Sequence, residues 1–72
     1  EIGLFEESLK QLNYALNDDP ENAQVHKLRA LLFEALEKKE KAIKAWNDCI
    51  RYSKDQSMIQ EAKIHLNYLN GI

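Results

Sequence analysis

One stretch of sequence that occurs twice decides the fold of this chain. It reads SLKQLNYAL at residues 8–16 and AIKAWNDCI at residues 42–50. Apolar side chains fall on equivalent positions of the two copies, so that Leu12 corresponds to Trp46, 34 positions further on. A fixed period of about 20–50 residues is typical of repeat architectures. The chain of 72 residues is therefore predicted to consist of repeated units.

The stretch that follows each copy repeats with the same offset. Val25 corresponds to Ile59 and Leu32 to Leu66. Within every stretch the apolar residues are spaced by three and four, which places them on one face of an α-helix. Residues 22–36 carry apolar side chains on nearly every side, Leu28 and Leu32 among them, as expected of a helix packed between two neighbours.

Break signals separate four predicted helices. Residues 17–20 end one helix and begin another, because Asp is a common N-cap and Pro suits a first helical turn. Residues 53–56 form the second break, and Ser57 starts a sequence with capping-box spacing. Gly71 is expected to end the last helix in a left-handed conformation. The predicted helices cover residues 4–18, 22–36, 39–53 and 57–70.

Composition favours helix and excludes several classes of partner. The chain holds only two Gly and one Pro, and its net charge of −2 is spread along the sequence without a basic block. We therefore expect an all-α protein that does not bind nucleic acid. No apolar run has the roughly 20 residues of a membrane span, so a soluble protein is expected, with the cytoplasm favoured. The lone Cys49 leaves the redox compartment open.

The chain resembles the tetratricopeptide repeat family, whose repeat is a 34-residue helix-turn-helix unit. Ala30 and Ala42 stand where that family has small residues that let paired helices approach closely, whereas Glu37 stands where Gly is usual at the turn. The resemblance implies an all-α fold of about four helices, in antiparallel helix-turn-helix repeats stacked as an α-solenoid. The chain begins at Glu1 rather than Met, and we expect it to be a segment of a longer protein. The units are the second helix of one repeat (1–20), a complete repeat (21–54) and the first helix of a following repeat or a capping helix (55–72).

The resemblance also implies a function. In this family the first helices of stacked repeats line a concave groove that holds a peptide or a partner helix, and curved repeat arrays do form extended binding surfaces. The expected partner is thus a protein or peptide, with no cofactor and no bound metal. By that likeness the groove would be lined by Gln24, Lys27, Leu31, Glu34, Met58, Glu61, His65 and Tyr68.

Two alternatives concern self-association. Ile64 and Tyr68 lie opposite the apolar arc of the last helix, so the end helices are candidates for forming a homodimer. A heptad-like spacing also continues through residues 37–41, which allows one long helix that pairs with a second chain.

An enzyme is not expected, because the chain has no phosphate-binding Gly loop, zinc-ligand spacing, calcium loop or nucleophile elbow. Cys49 with His26 or His65 would be the only candidate nucleophile and base. The spacing of Cys49 from Trp46 and Ile50 predicts instead that both Cys49 and Trp46 belong to the core.

Overall fold

The chain folds into four α-helices joined by short turns. A computed structural model describes residues 2–71, apart from the side chain of Ile2. The helices are α1 (Ile2–Asp18), α2 (Ala23–Ala35), α3 (Lys39–Tyr52) and α4 (Gln56–Asn70). Every boundary lies within two residues of its predicted position, and the all-α prediction is confirmed. Glu1 and Ile72, which belong to the first and last predicted units, lie outside the described residues.

The residues that cap the helices differ from those predicted. Asn22 caps α2, because its Oδ1 atom accepts a hydrogen bond from the backbone N–H of Val25 (3.2 Å). The prediction that an Asp ahead of Pro20 caps this helix is therefore wrong. Asp55 caps α4 by accepting from the N–H of Ser57 (2.9 Å), so the capping box predicted from Ser57 is wrong. Gly71 has a φ of −80°, which is right-handed rather than left-handed. Several short polar side chains stand at these two breaks, and a shift of two or three residues decides which of them reaches an open N–H group.

The turn between α2 and α3 overturns the alternative of one long helix. Glu37 has a φ of 59°, in the left-handed region. Its N–H donates to the Glu34 carbonyl (3.0 Å), and the Lys38 N–H donates to the Phe33 carbonyl (2.8 Å). These two hydrogen bonds form a Schellman motif, in which Gly is the usual left-handed residue. The helix ends here even though Glu37 has to adopt a conformation that Gly would adopt more easily.

The core lies mainly between α2 and α3. Trp46 and Cys49 are fully buried, as predicted. Ala30 and Ala42 are fully buried as well, which agrees with their expected role as small residues that allow close helix packing. α1 packs against α2, and α4 packs against α3. The stacking of these helices into an α-solenoid stays a prediction.

Leu28 is an exception to the predicted core. Its residue surface is 39 % exposed, although the sequence pattern places it among the packed positions of α2. With Leu31 and Leu32 it lines an open pocket of about 440 Å³ between α1 and α2. α1 therefore leaves the space beside Leu28 unfilled. Within residues 2–71, no helix has both the length and the apolar content of a membrane-spanning segment.

Candidate functional site

A salt bridge joins the two helices that carry the predicted binding residues. The Nζ atom of Lys27 on α2 lies 2.9 Å from Oε1 of Glu61 on α4. These two residues stand 34 positions apart, so they occupy equivalent positions in consecutive predicted repeats. The side chains of α2 and α4 thus meet along one face of the protein, which we call the α2/α4 face.

Glu34 is the centre of a hydrogen-bonded group that links three helices. Its Oε2 atom accepts a hydrogen bond from the indole Nε1–H of Trp46 on α3. The same oxygen lies 2.8 Å from Nδ1 of His65 on α4. Because a carboxylate only accepts, Nδ1 of His65 must carry a hydrogen. The His65 ring also stacks on the Trp46 ring, with 4.4 Å between the centroids and 27° between the planes.

Half of the predicted binding residues are therefore paired with one another. Lys27 pairs with Glu61, and Glu34 with His65. The family resemblance implies that all four line a binding groove. In the structure Glu34 and His65 instead help to hold α2, α3 and α4 together, because Glu34 satisfies the only polar side-chain atom of a fully buried Trp46. Sequence reasoning missed this group, since Glu34 and His65 are 31 positions apart.

The remaining predicted residues divide into exposed and half-buried side chains. Gln24 and Tyr68 are exposed, whereas Met58 and Leu31 are half-buried and pack against the core. Leu31 lines the pocket between α1 and α2, so part of its apolar surface points away from α4. Of the three apolar residues predicted to line the groove, Leu31, Met58 and Tyr68, the exposed one is Tyr68.

Ile64 belongs to this surface although it was not among the predicted binding residues. It is 66 % exposed, and Tyr68, one helical turn further on, is 67 % exposed. Ile64 lines a shallow depression of about 640 Å³ on α4 together with Glu61 and His65. The signal that identifies it is present in the sequence, where Ile64 falls opposite the apolar arc of α4.

The Cys49 thiol is not placed for nucleophilic chemistry. Burial raises the pKa of Cys49 above its ordinary value of 9.0; the nearby Lys27 lowers it and Glu61 raises it, both by less than the burial does. A thiol in this state is a weak nucleophile at neutral pH, since the thiolate is the reactive form. Among residues 2–71, neither imidazole forms a hydrogen bond with Cys49.

His26 connects two parts of the fold through its imidazole ring. Its Nε2 atom lies 2.9 Å from the Pro20 carbonyl oxygen, so Nε2–H donates there, and its ring stacks on Tyr52 with 5.5 Å between the centroids. His26 thereby holds the turn before α2 against the end of α3. Within the described part of the chain, no three His, Cys, Asp or Glu side chains converge on a common point that could hold a metal ion.

The α2/α4 face thus presents the exposed side chains of Gln24, Ile64 and Tyr68 beside the pairs Lys27–Glu61 and Glu34–His65. No protein-family model, curated protein or solved structure matches this chain.

Proposed function

We propose that the chain is a protein-binding module built from tetratricopeptide-like repeats, which holds a peptide or a partner helix on its α2/α4 face. The observation that carries the proposal is the contact between Lys27 and Glu61, two equivalent positions of consecutive repeats whose charged atoms are 2.9 Å apart. Repeats that stack bring equivalent helices side by side, and the row of such helices forms an extended binding surface.

The chemistry of the α2/α4 face supports a partner with apolar side chains. Ile64 and Tyr68 are each about two-thirds exposed and lie one turn apart on α4. Neighbouring exposed apolar residues mark interaction sites, and Tyr is one of the residue types enriched where most of the binding energy lies. The pairs Lys27–Glu61 and Glu34–His65 beside them hold the surface in one arrangement, which lowers the entropy lost on binding.

The test compares two tyrosines of similar exposure. In Tyr68→Ser the proposed anchor is lost, whereas Tyr14→Ser removes a side chain of α1 that is 62 % exposed and lies off this face. Both variants should keep their stability within about 0.5 kcal/mol, as surface substitutions usually do. The immobilised chain and both variants are used to capture partners from cell extract, and each captured protein is quantified by mass spectrometry.

We expect at least one protein that the parent and Tyr14→Ser capture equally and that Tyr68→Ser loses. The proposal is wrong if no captured protein distinguishes the two variants. A charge control is the double variant Lys27→Glu with Glu61→Lys, which keeps an ion pair between α2 and α4 but exchanges its ends. Capture of a charged partner should be weakened there without a change in melting temperature.

Self-association is the second candidate, and the exposed side chains of the two end helices favour it. Leu4 and Tyr14 on α1 are 67 % and 62 % exposed, comparable to Ile64 and Tyr68 on α4. Sedimentation equilibrium at several concentrations distinguishes the two functions. A dimer that Tyr68→Ser dissociates would identify an assembly module. A chain that stays monomeric at all concentrations would favour the binding of a different protein on the α2/α4 face.

A further inference from the structure

Basic side chains from three helices surround one pocket that lies away from the α2/α4 face. The pocket has a volume of about 560 Å³ and is lined by α1, α2 and the start of α3. Its α2 residue Arg29 follows Lys27 by two positions, which is about 200° around the helix. The cations that line the pocket are Lys10, Arg29, Lys38, Lys41 and Lys44.

The positive charge of this pocket is largely uncompensated. The five cations are half of the ten Lys and Arg of a chain whose net charge is −2, and Glu6 is the one acidic residue that lines the pocket. Lys44 has a partial counter-charge in Asp48, 3.6 Å away. The other four cations have no carboxylate of residues 2–71 within 4.0 Å. Gathered like charges repel one another, so a bound anion would relieve this repulsion.

The floor of the pocket is apolar and its Arg is held in position. Leu9, Phe33 and Ala45 are buried residues that line it. The Arg29 guanidinium carbon lies 5.4 Å from the centre of the Phe33 ring. Its Nε–H donates to Oδ1 of Asn13 on α1 (3.0 Å). These contacts fix the guanidinium across the gap between α1 and α2.

We propose that this basic pocket binds an acidic peptide segment of a partner protein. Asp or Glu side chains of the segment would meet the cationic rim, and an apolar side chain between them would contact the floor. Charge complementarity of this kind speeds association and selects the partner. A small polyphosphate would use only the rim. It would leave the apolar floor of Leu9, Phe33 and Ala45 without a contact, whereas a peptide segment meets both the rim and the floor.

The probe is a fluorescein-labelled synthetic peptide, Glu-Asp-Leu-Glu-Asp-Leu-Glu, and its binding to the whole chain is followed by fluorescence anisotropy. The amide version, Gln-Asn-Leu-Gln-Asn-Leu-Gln, carries the same label and has the same shape but lacks the charged side chains. The test variant is Lys38→Glu with Lys41→Glu. The matched control is Lys54→Glu with Lys63→Glu, which makes the same change in charge away from the pocket. All four side chains are exposed, and circular dichroism verifies that both variants fold.

We expect the acidic peptide to bind and the amide peptide not to bind. The pocket variant should weaken binding by at least about tenfold, because two attractive charges become repulsive, while the control changes it by less than about threefold. Raising NaCl from about 50 to about 500 mM should weaken binding as well, since it screens the rim charges. Equal weakening by both variants, equal binding of the amide peptide, or tight binding of inorganic tripolyphosphate without binding of the peptide would each overturn the proposal.

Discussion

Removal of the Glu34 carboxylate is the sharpest test of how the three helices are held together. In Glu34→Ala the Nε1–H of Trp46 loses its acceptor, and Nδ1 of His65 loses its partner. Trp46 is fully buried, so its N–H would remain in the core without a hydrogen bond. Such an unsatisfied group costs about 1–3 kcal/mol.

The size of the effect follows from the exposure of Glu34. Its side chain is 22 % exposed, so water partly replaces the carboxylate, and we expect a loss in the lower half of that range, about 1–2 kcal/mol. A domain of 60–100 residues changes its melting temperature by about 4–8 °C for each kcal/mol. Glu34→Ala should therefore melt about 5–15 °C below the parent.

Thermal unfolding is followed by circular dichroism and by the fluorescence of Trp46, the only Trp of the chain. Glu34→Gln keeps an oxygen that accepts from the indole, and it should lose clearly less stability than Glu34→Ala. Glu61→Ala is the control, because it breaks the salt bridge to Lys27 and leaves the Glu34 hydrogen bonds intact. A partly exposed salt bridge of this kind is worth about 0–1 kcal/mol, so this variant should lose less stability than Glu34→Ala. The assigned role of Glu34 would be refuted if Glu34→Ala melted with the parent, or if Glu34→Gln and Glu34→Ala were equally destabilised.

Two further predictions concern the turn and the core. Glu37→Gly should stabilise the protein by about 0.5–1 kcal/mol. The left-handed conformation costs a non-Gly residue about 1–2 kcal/mol, and Gly removes that cost. The gain is smaller than the full cost because Gly also makes the unfolded chain more flexible. Chemical denaturation measures this, with Glu37→Ala as the control that should bring no gain; a loss of stability in Glu37→Gly would contradict the turn. Leu9→Ala should cost about 2–5 kcal/mol because Leu9 is buried, whereas Leu28→Ala should cost well under half as much because Leu28 is partly exposed. Equal losses in the two Leu variants would show that the pocket beside Leu28 is closed in solution.

The helices and their order follow from the sequence because the signals are local. A spacing of three and four residues reports which face of a helix is buried, and break residues report where a helix ends. The 34-residue offset adds the alternation of two helix types, and with it the burial of Trp46 and Cys49. Spacing and break signals depend on neighbours within a few positions, and the 34-residue repeat is visible within the chain itself, so one sequence is sufficient to predict these features.

The candidate sites depend on contacts between residues that are far apart in the chain. Whether Glu34 reaches Trp46, 12 positions away, and His65, 31 positions away, is decided by how α3 packs against α2 and α4 packs against α3. The same packing gathers basic residues from three helices into one pocket, although no basic block exists in the sequence. Burial of Leu28 likewise depends on where α1 lies. Periodicity states which side of a helix is apolar, but only the packed structure decides how much of that side a neighbour covers and which charges meet.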